Sequence, residues 1–298
     1  MTNATRAYVF ALLTVLSWST SATAFKLSLR YIDLIQLIFY SCVASAAVLL
    51  AALWFRGDIS KLPQTLRDHW RISLVSALLN PFAYYLILFG AYDRLPAQVA
   101  QPINYTWAMV LTFLSIVVLR QKMTWRDIAA ALVCYTGVVI IVGQGRWIPL
   151  DVDHPVGIAL ALGSTVIWAS YWIINMRDPR EPAVALCVNF LIAVPLTFLL
   201  CVTQSNLSIP VRGAMGAIWV GLFEMGLAFL FWSHALRLAT NTSRVSNLIF
   251  LSPFLSLVLI HYILGEGIYL TTWVGLGVIV SGLALQQWRT RLTPPVVN

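Results

Sequence analysis

Charge is scarce in this chain. Of 298 residues only 10% are Asp, Glu, Lys or Arg, with 11 acidic side chains and 4 histidines, whereas about 25% of residues in soluble domains are charged. A soluble surface cannot be built from that supply. The cysteines are few and lie far apart: Cys42, Cys134, Cys187 and Cys201 show neither a disulfide framework nor metal-ligand spacing, and they read as small apolar packing residues. His234 and His261 stand apart from other ligand types, so neither a metal nor a cofactor is expected. Long polar connections are also missing, which leaves no room for a soluble catalytic domain. Strands alternating with period two, the signature of a membrane barrel, are absent as well.

What is present is apolar length. Hydrophobic residues make up 60% of the chain and the mean hydropathy is +0.82. Ten apolar stretches of about 18 to 24 residues are long enough to cross a hydrocarbon layer of about 30 Å as helices. They run Tyr8–Leu27, Leu34–Phe55, Ile72–Tyr92, Ala97–Leu119 and Trp125–Val142, then Gly157–Ile174, Val184–Val202, Gly213–Leu236, Val245–Leu264 and Thr272–Gln287. The predicted fold is an all-α integral membrane protein of ten transmembrane helices in contact with the lipid bilayer. Near the start, Arg6, an apolar run and Ala22-Thr23-Ala24 imitate a secretory cleavage site. That run exceeds a signal core, so the segment is expected to remain as the first span.

The chain repeats itself. Ala11-Leu12 leading to Trp18 returns as Ala161-Leu162 leading to Trp168, and Leu119–Gly137 aligns with Leu264–Gly282. The expected modules are residues 1–147 and 148–298. With five spans in each, the second enters the bilayer from the opposite side, as an inverted-topology repeat. Basic residues fit this topology: with a cytoplasmic amino terminus, 14 of the 19 fall on the cytoplasmic side, against Lys26, Arg30, Arg94, Arg146 and Arg212 outside. Such asymmetry follows the positive-inside rule and places both termini in the cytoplasm. It also accounts for the +8 net charge without a nucleic-acid partner. Trp70, Trp125, Trp147, Trp273 and Trp288 fall near span ends, where indoles settle at the membrane interface. The loop Arg56–Arg71 reads as a solvated basic segment.

Depth selects the candidate site. Carriers built from such repeats bind near the bilayer centre, where Trp18 and Trp168 lie; alignment of Gly90-Ala91 with His234-Ala235 makes Asn80 the repeat mate of Glu224 at the same depth. A charged side chain at a helix centre costs about 2.5–3.5 kcal/mol on insertion scales, so Glu224 is expected to face protein or water. Two readings stand open for it: partner of a cationic group or proton carrier, or a protonated acid that holds helices in register. Trp168, Tyr171, Trp172 and Asn175 follow i, i+3, i+4, i+7 spacing, Gln101 shares a face with Tyr105, and Asn80 with Tyr84. Rings mixed with amides and hydroxyls suit a flat ligand with polar ends, although such stripes also serve packing. Pro81, Pro102, Pro195 and Pro253 inside spans are expected to bend helices, and Gly275, Gly277, Ser281 and Gly282 to permit close helix approach, within the molecule or between copies.

Gly265-Glu266-Gly267-Ile268 followed by Gly275 and Gly282, Pro253 in the preceding span, and Trp18 and Trp168 early in each half resemble the drug/metabolite transporter superfamily. In the first half Arg120-Gln121-Lys122 stands where the second has Gly265-Glu266-Gly267, a departure from its pattern. The resemblance implies two inverted five-helix repeats and a small-molecule substrate. Within the superfamily the chain looks most like bacterial exporters of aromatic amino acids, which implies export of phenylalanine, tyrosine and tryptophan across the inner membrane by alternating access. The candidate substrate site, read from depth and shared helix faces, comprises Trp18, Asn80, Tyr84, Gln101, Tyr105, Trp168, Tyr171 and Glu224. Small polar amino acids, purines or nucleosides, and lipophilic cations are rival cargoes on the same fold, and proton coupling is an alternative to uniport. An intramembrane enzyme has only Ser233, His234 and Glu224 to draw on.

Overall fold

The computed structural model describes residues 2–119, 125–146, 154–239, 245 and 247–290, and every regular element among them is helical. Seven helical stretches are long and apolar enough to cross a membrane: Asn3–Leu29, Leu34–Arg56, Trp70–Arg94, Ala97–Val118, Pro155–Asn175, Pro182–Gln204 and Val211–Leu238. Shorter apolar helices at Ile128–Val142, Leu248–Leu264 and Leu270–Leu285 fall on the other three expected spans.

The elements used below are α1 (Asn3–Ser19), α2 (Ser21–Leu29), α3 (Leu34–Arg56), α4 (Lys61–Asp68), α5 (Trp70–Ala77), α6 (Tyr84–Arg94), α7 (Ala97–Tyr105) and α8 (Trp107–Leu119). They continue with α9 (Trp125–Val142), α10 (Pro155–Asn175), α11 (Pro182–Gln204), α12 (Val211–Trp219), α13 (Leu227–Leu238), α14 (Ser252–Leu259) and α15 (Leu270–Thr290). Local chemistry sets several boundaries. Asp33 accepts from the Ile35 and Gln36 amides at 2.8 and 2.9 Å while Gln36 accepts from the Asp33 amide at 3.2 Å, a reciprocal cap that starts α3. Gly57, at φ 73°, ends it in the left-handed conformation that glycine adopts without strain. Glu181 caps α11 through the Val184 amide at 2.9 Å, with Pro182 in the first turn, where a missing N–H is harmless.

Of the prolines expected to bend helices, Pro81 does so and Pro253 instead starts a helix. Pro253 begins α14 after a 3₁₀ turn at Asn247–Leu251. Pro81 lies at a kink within Leu78–Ala83, where Asn80 has non-helical dihedrals of φ −140° and ψ 117°. The eighth expected span is interrupted at the corresponding place by a π-helical turn, Val220–Gly226, which carries Glu224. Gly221 and Gly226 fit that wide turn against α3, because a Cβ at Gly221 would lie 2.4 Å from the Ser41 carbonyl and one at Gly226 2.6 Å from Val48. The basic loop contains the short helix α4, whose residues are exposed or half-buried, an element absent from the sequence reading.

Helix pairing is antiparallel and reciprocal. α1 runs along α13, with Phe10 6.1 Å from Phe231 and the Thr14 hydroxyl donating to the Ala228 carbonyl at 3.4 Å. α10 runs along α6, with Gly157 against Leu95 and Trp168 stacked on Tyr84 at 4.4 Å. α3 and α11 cross from Phe39–Phe198 to Arg56–Glu181. α9 and α15 pack backbone to backbone: a Cβ on Gly137 would stand 2.6 Å from the Gly275 carbonyl, and one on Gly282 2.7 Å from Cys134. Gly275 and Gly282 therefore serve packing inside the molecule, while Gly277 has open space around it. The four cysteines are buried and free. Trp70, Trp125 and Trp273 are exposed; Trp147 and the 147/148 boundary lie outside the described residues, and so does the side chain of Trp288. Arg180, counted with the loop cations, is instead a buried partner of Asp178 at 2.5 Å and also donates to Ser73 at 2.7 Å.

Candidate functional site

The interrupted helices meet in the middle of the bundle. α1 gives way to α2 at Thr20, which places Trp18 and Ser21 beside the π turn of Glu224. A π turn offsets backbone carbonyls from their usual partners, and here the Trp18 indole N–H donates to the Glu224 carbonyl at 3.3 Å. The Glu224 carboxylate accepts from the Ser21 hydroxyl on one oxygen and from the Tyr85 hydroxyl at 3.2 Å on the other. Three helical segments thus fix this acid.

Beside it opens a cavity of about 300 Å³, at the lower end of the ~300–1,000 Å³ usual for small-molecule sites. Trp18, Tyr84 and Trp168 wall its middle, Phe25, Leu88 and Tyr92 one end, and Trp107, Trp172, Trp232 and Phe250 the other. Ring geometry makes the wall continuous: Trp168 stacks on Tyr84 at 4.4 Å and meets Phe229 edge-on at 5.8 Å, while Trp107 stacks with Trp172 at 6.3 Å. Glu224 is the single ionisable acid or base among the described lining residues apart from tyrosines. Asn104 donates to Ser164 at 2.9 Å and accepts from Tyr84 at 3.3 Å. The Gln101 carbonyl oxygen and the Trp172 indole nitrogen are buried without a hydrogen-bond partner among the described residues. One acceptor and one donor at the cavity therefore await a partner, a state that is costly in a dry interior.

Six of the eight residues expected from sequence line this cavity: Trp18, Tyr84, Gln101, Tyr105, Trp168 and Glu224. Asn80 and Tyr171 do not. Asn80 is fully buried because its non-helical backbone breaks the i, i+4 register with Tyr84. Tyr171 lies behind Trp168 at 5.6 Å, since a three-residue step turns about 300° and leaves it on the far side from Trp172. Ser21, Tyr85, Asn104 and Trp232 were not anticipated. Ser21 is three residues after Trp18 and Trp232 eight after Glu224, helical spacings that could have flagged both.

His234 does not join Glu224. Its Nδ1 lies 2.8 Å from the Leu230 carbonyl of its own helix and its ring 5.4 Å from Phe10. Among the described residues no group of three His, Cys, Asp or Glu side chains could hold a metal ion.

Comparison with known proteins agrees with this architecture. The chain is 25% identical to the uncharacterized transporter YvbV of Bacillus subtilis over 96% of its own length and 93% of that protein. It is 26% identical to a probable terminal-alkyne amino-acid exporter of Streptantibioticus cattleyicolor, over 93% and 92% of the two chains. Protein PecM of Dickeya dadantii is 25% identical over 73% of each. A solved crystal structure superposes with a TM-score of 0.71 at 21% identity, covering 98% of this chain and all of that one, so the fold is shared. The EamA-like transporter family pattern matches twice, at residues 5–143 and 155–286, and the chain belongs to that family, a multi-pass membrane transporter group within the drug/metabolite transporters.

Proposed function

We propose that this transporter exports aromatic amino acids, with related amphipathic aromatic metabolites, by alternating access across the bacterial inner membrane. The observation that carries the reading is the central cavity: indole and phenol rings on its walls, one carboxylate at its edge and no cationic side chain among its described lining. The substrate's ring packs among Trp18, Trp107 and Trp168, its ammonium group meets Glu224, and its carboxylate accepts from the Trp172 indole. Gln101 is free to accept a further ligand N–H. Such a site gains both apolar burial and oriented polar contacts. A relative described as a probable terminal-alkyne amino-acid exporter supports amino acids as the broad cargo class.

In this reading the ten apolar segments are ten spans, and residues 1–147 and 148–298 are two inverted modules with both termini in the cytoplasm. Three observations support the inversion. The family pattern matches once in each half; α3 and α9 run antiparallel to their repeat mates α11 and α15; and the first span of each half packs on the third of the other. A second reading, a lipophilic-cation carrier, is favoured by one specific feature, a lone acid inside an aromatic cage.

Uptake of radiolabelled phenylalanine, tryptophan, threonine, adenine and a tetraphenylphosphonium cation into liposomes holding the purified chain separates these readings. Movement of the aromatic pair alone supports the proposal. Cation movement without phenylalanine movement replaces it with the second reading, and threonine or adenine movement rejects both. A pH dye inside the same vesicles tells uniport from proton antiport.

A further inference from the structure

The cavity is sealed on one side. At its α8, α10 and α13 end the walls are half-buried side chains such as Trp107, Trp172 and Leu236, whereas at the opposite end Phe25, Leu88 and Tyr92 are each no more than 3% exposed. Just past that seal lies a second, shallow hollow lined by Lys26, Leu95, Gln98 and Glu266. The hollows adjoin along the chain, Phe25 beside Lys26 and Gln101 one turn from Gln98. Phe25, Leu88 and Tyr92 form the plug between them.

We propose that the first turn of α7 is the gate between these hollows and that Glu266 and Gln98 are the positioning residues that hold it shut, an inference that rests on the alternating-access reading above. The Glu266 carboxylate accepts from the Ala97 and Gln98 amides at 3.0 and 3.2 Å, donors that a helix start leaves unpaired. The Gln98 side chain donates to the Gly267 carbonyl at 2.9 Å and accepts from the Tyr269 amide and the Thr272 hydroxyl at 3.2 and 3.1 Å. Lys26 donates to the Tyr92 and Leu95 carbonyls at 2.8 and 3.0 Å, tying α2 to the end of α6.

These bonds share a geometry. Each joins a side chain to a helix terminus or to the irregular segment 265–269, so a small rigid shift of α7 breaks the Glu266 and Gln98 set together without unwinding a helix. The same shift uncovers Gln101, which already faces the cavity. In sequence the repeat mate of Glu266 is Gln121, which carries no charge, so the two halves are unequally equipped to close.

The test uses the full chain in oriented vesicles with Ala108→Cys, on the cavity wall, as a reporter beyond the plug and Arg94→Cys as a control on the rim. A membrane-impermeant thiol reagent is added to each side separately. From the Lys26 side, the Ala108→Cys reporter is expected to react at least about tenfold more slowly than the rim control, and adding Glu266→Ala or Gln98→Ala raises its rate about tenfold. That factor corresponds to about 1.4 kcal/mol. Glu266→Gln, which keeps one acceptor, gives an intermediate rate. No change from that side in either alanine variant, or an equal rise from both sides, overturns the gate. Phenylalanine uptake by vesicles of the unsubstituted chain is read in parallel: gating without uptake removes the substrate reading alone, and uptake without gating removes the gate alone.

Discussion

Replacing Glu224 by glutamine separates a ligand partner from a structural acid. The substitution keeps shape, and both neighbours can adapt: Ser21 and Tyr85 donate to the carboxylate in the present geometry, yet a hydroxyl also accepts. One can go on donating to the amide oxygen while the other rotates to accept from the amide nitrogen. The expected cost to stability is therefore no more than about 1 kcal/mol, one ordinary hydrogen bond. Binding should suffer far more if Glu224 receives a substrate ammonium. A charge-assisted hydrogen bond contributes about 1.5–3 kcal/mol, equivalent to about a 10- to 150-fold weaker affinity. The assay is quenching of intrinsic tryptophan fluorescence, since Trp18, Trp107, Trp168, Trp172 and Trp232 all line the cavity, with thermal unfolding as the stability control. Two ligands are titrated, phenylalanine and 3-phenylpropionate, which shares the ring and the carboxylate but lacks the ammonium. Glu224→Gln should weaken the first and leave unchanged or tighten the second, because a like charge has been removed. Equal loss for both ligands, or phenylalanine affinity within twofold of the original, refutes the ammonium contact and leaves Glu224 as a group that holds α2, α6 and α13 in register.

Two further outcomes follow from packing and charge. Gly275→Leu should lower stability by about 1–3 kcal/mol or more, as overpacking does, because its Cβ would stand 2.5 Å from Ile141 and 2.7 Å from the Gly137 carbonyl; Gly277→Leu, with open space around it, should leave the unfolding temperature in detergent unchanged. At the end of α11 burial pushes the Glu181 carboxyl up, but the Val184 amide, Arg56 and Arg237 outweigh it and hold it below its ordinary value of 4.5. A carboxylate so lowered stabilises the fold above pH 4.5 and loses that contribution as the pH falls through its folded value. Unfolding temperature measured from pH 7 down to pH 3.5 should therefore decline less steeply in Glu181→Gln than in the unaltered chain.

Much of the fold could be read from one dimension because a bilayer allows few solutions: every backbone polar group must be paired inside its own segment, so apolar length alone marks helices. The α3 and α11 helices begin within two residues of the apolar limits and end within two. Depth along a helix was equally legible, which is why Trp18, Trp168 and Glu224 were found. Direction around the helix was not. An i, i+4 face assumes a regular α-helix, whereas the chain kinks at Asn80, whose backbone is extended, and takes that side chain off the cavity. Charge was legible as a count and opaque as a contact. Nothing in the string separates Arg180, buried against Asp178, from Arg67, whose side chain is 82% exposed.

The irregular turns also explain why the site sits where it does. A continuous α-helix in an apolar medium satisfies all its own carbonyls and presents only side chains. Within Val220–Gly226 the Glu224 carbonyl accepts from the Trp18 indole, so the ring is anchored by backbone and stays in place whatever the protonation of the carboxylate. Ser21 and Tyr85 then hold the carboxylate itself. On the proposed reading, substrate contact falls to the carboxylate and the anchoring of Trp18 to the backbone of the same residue.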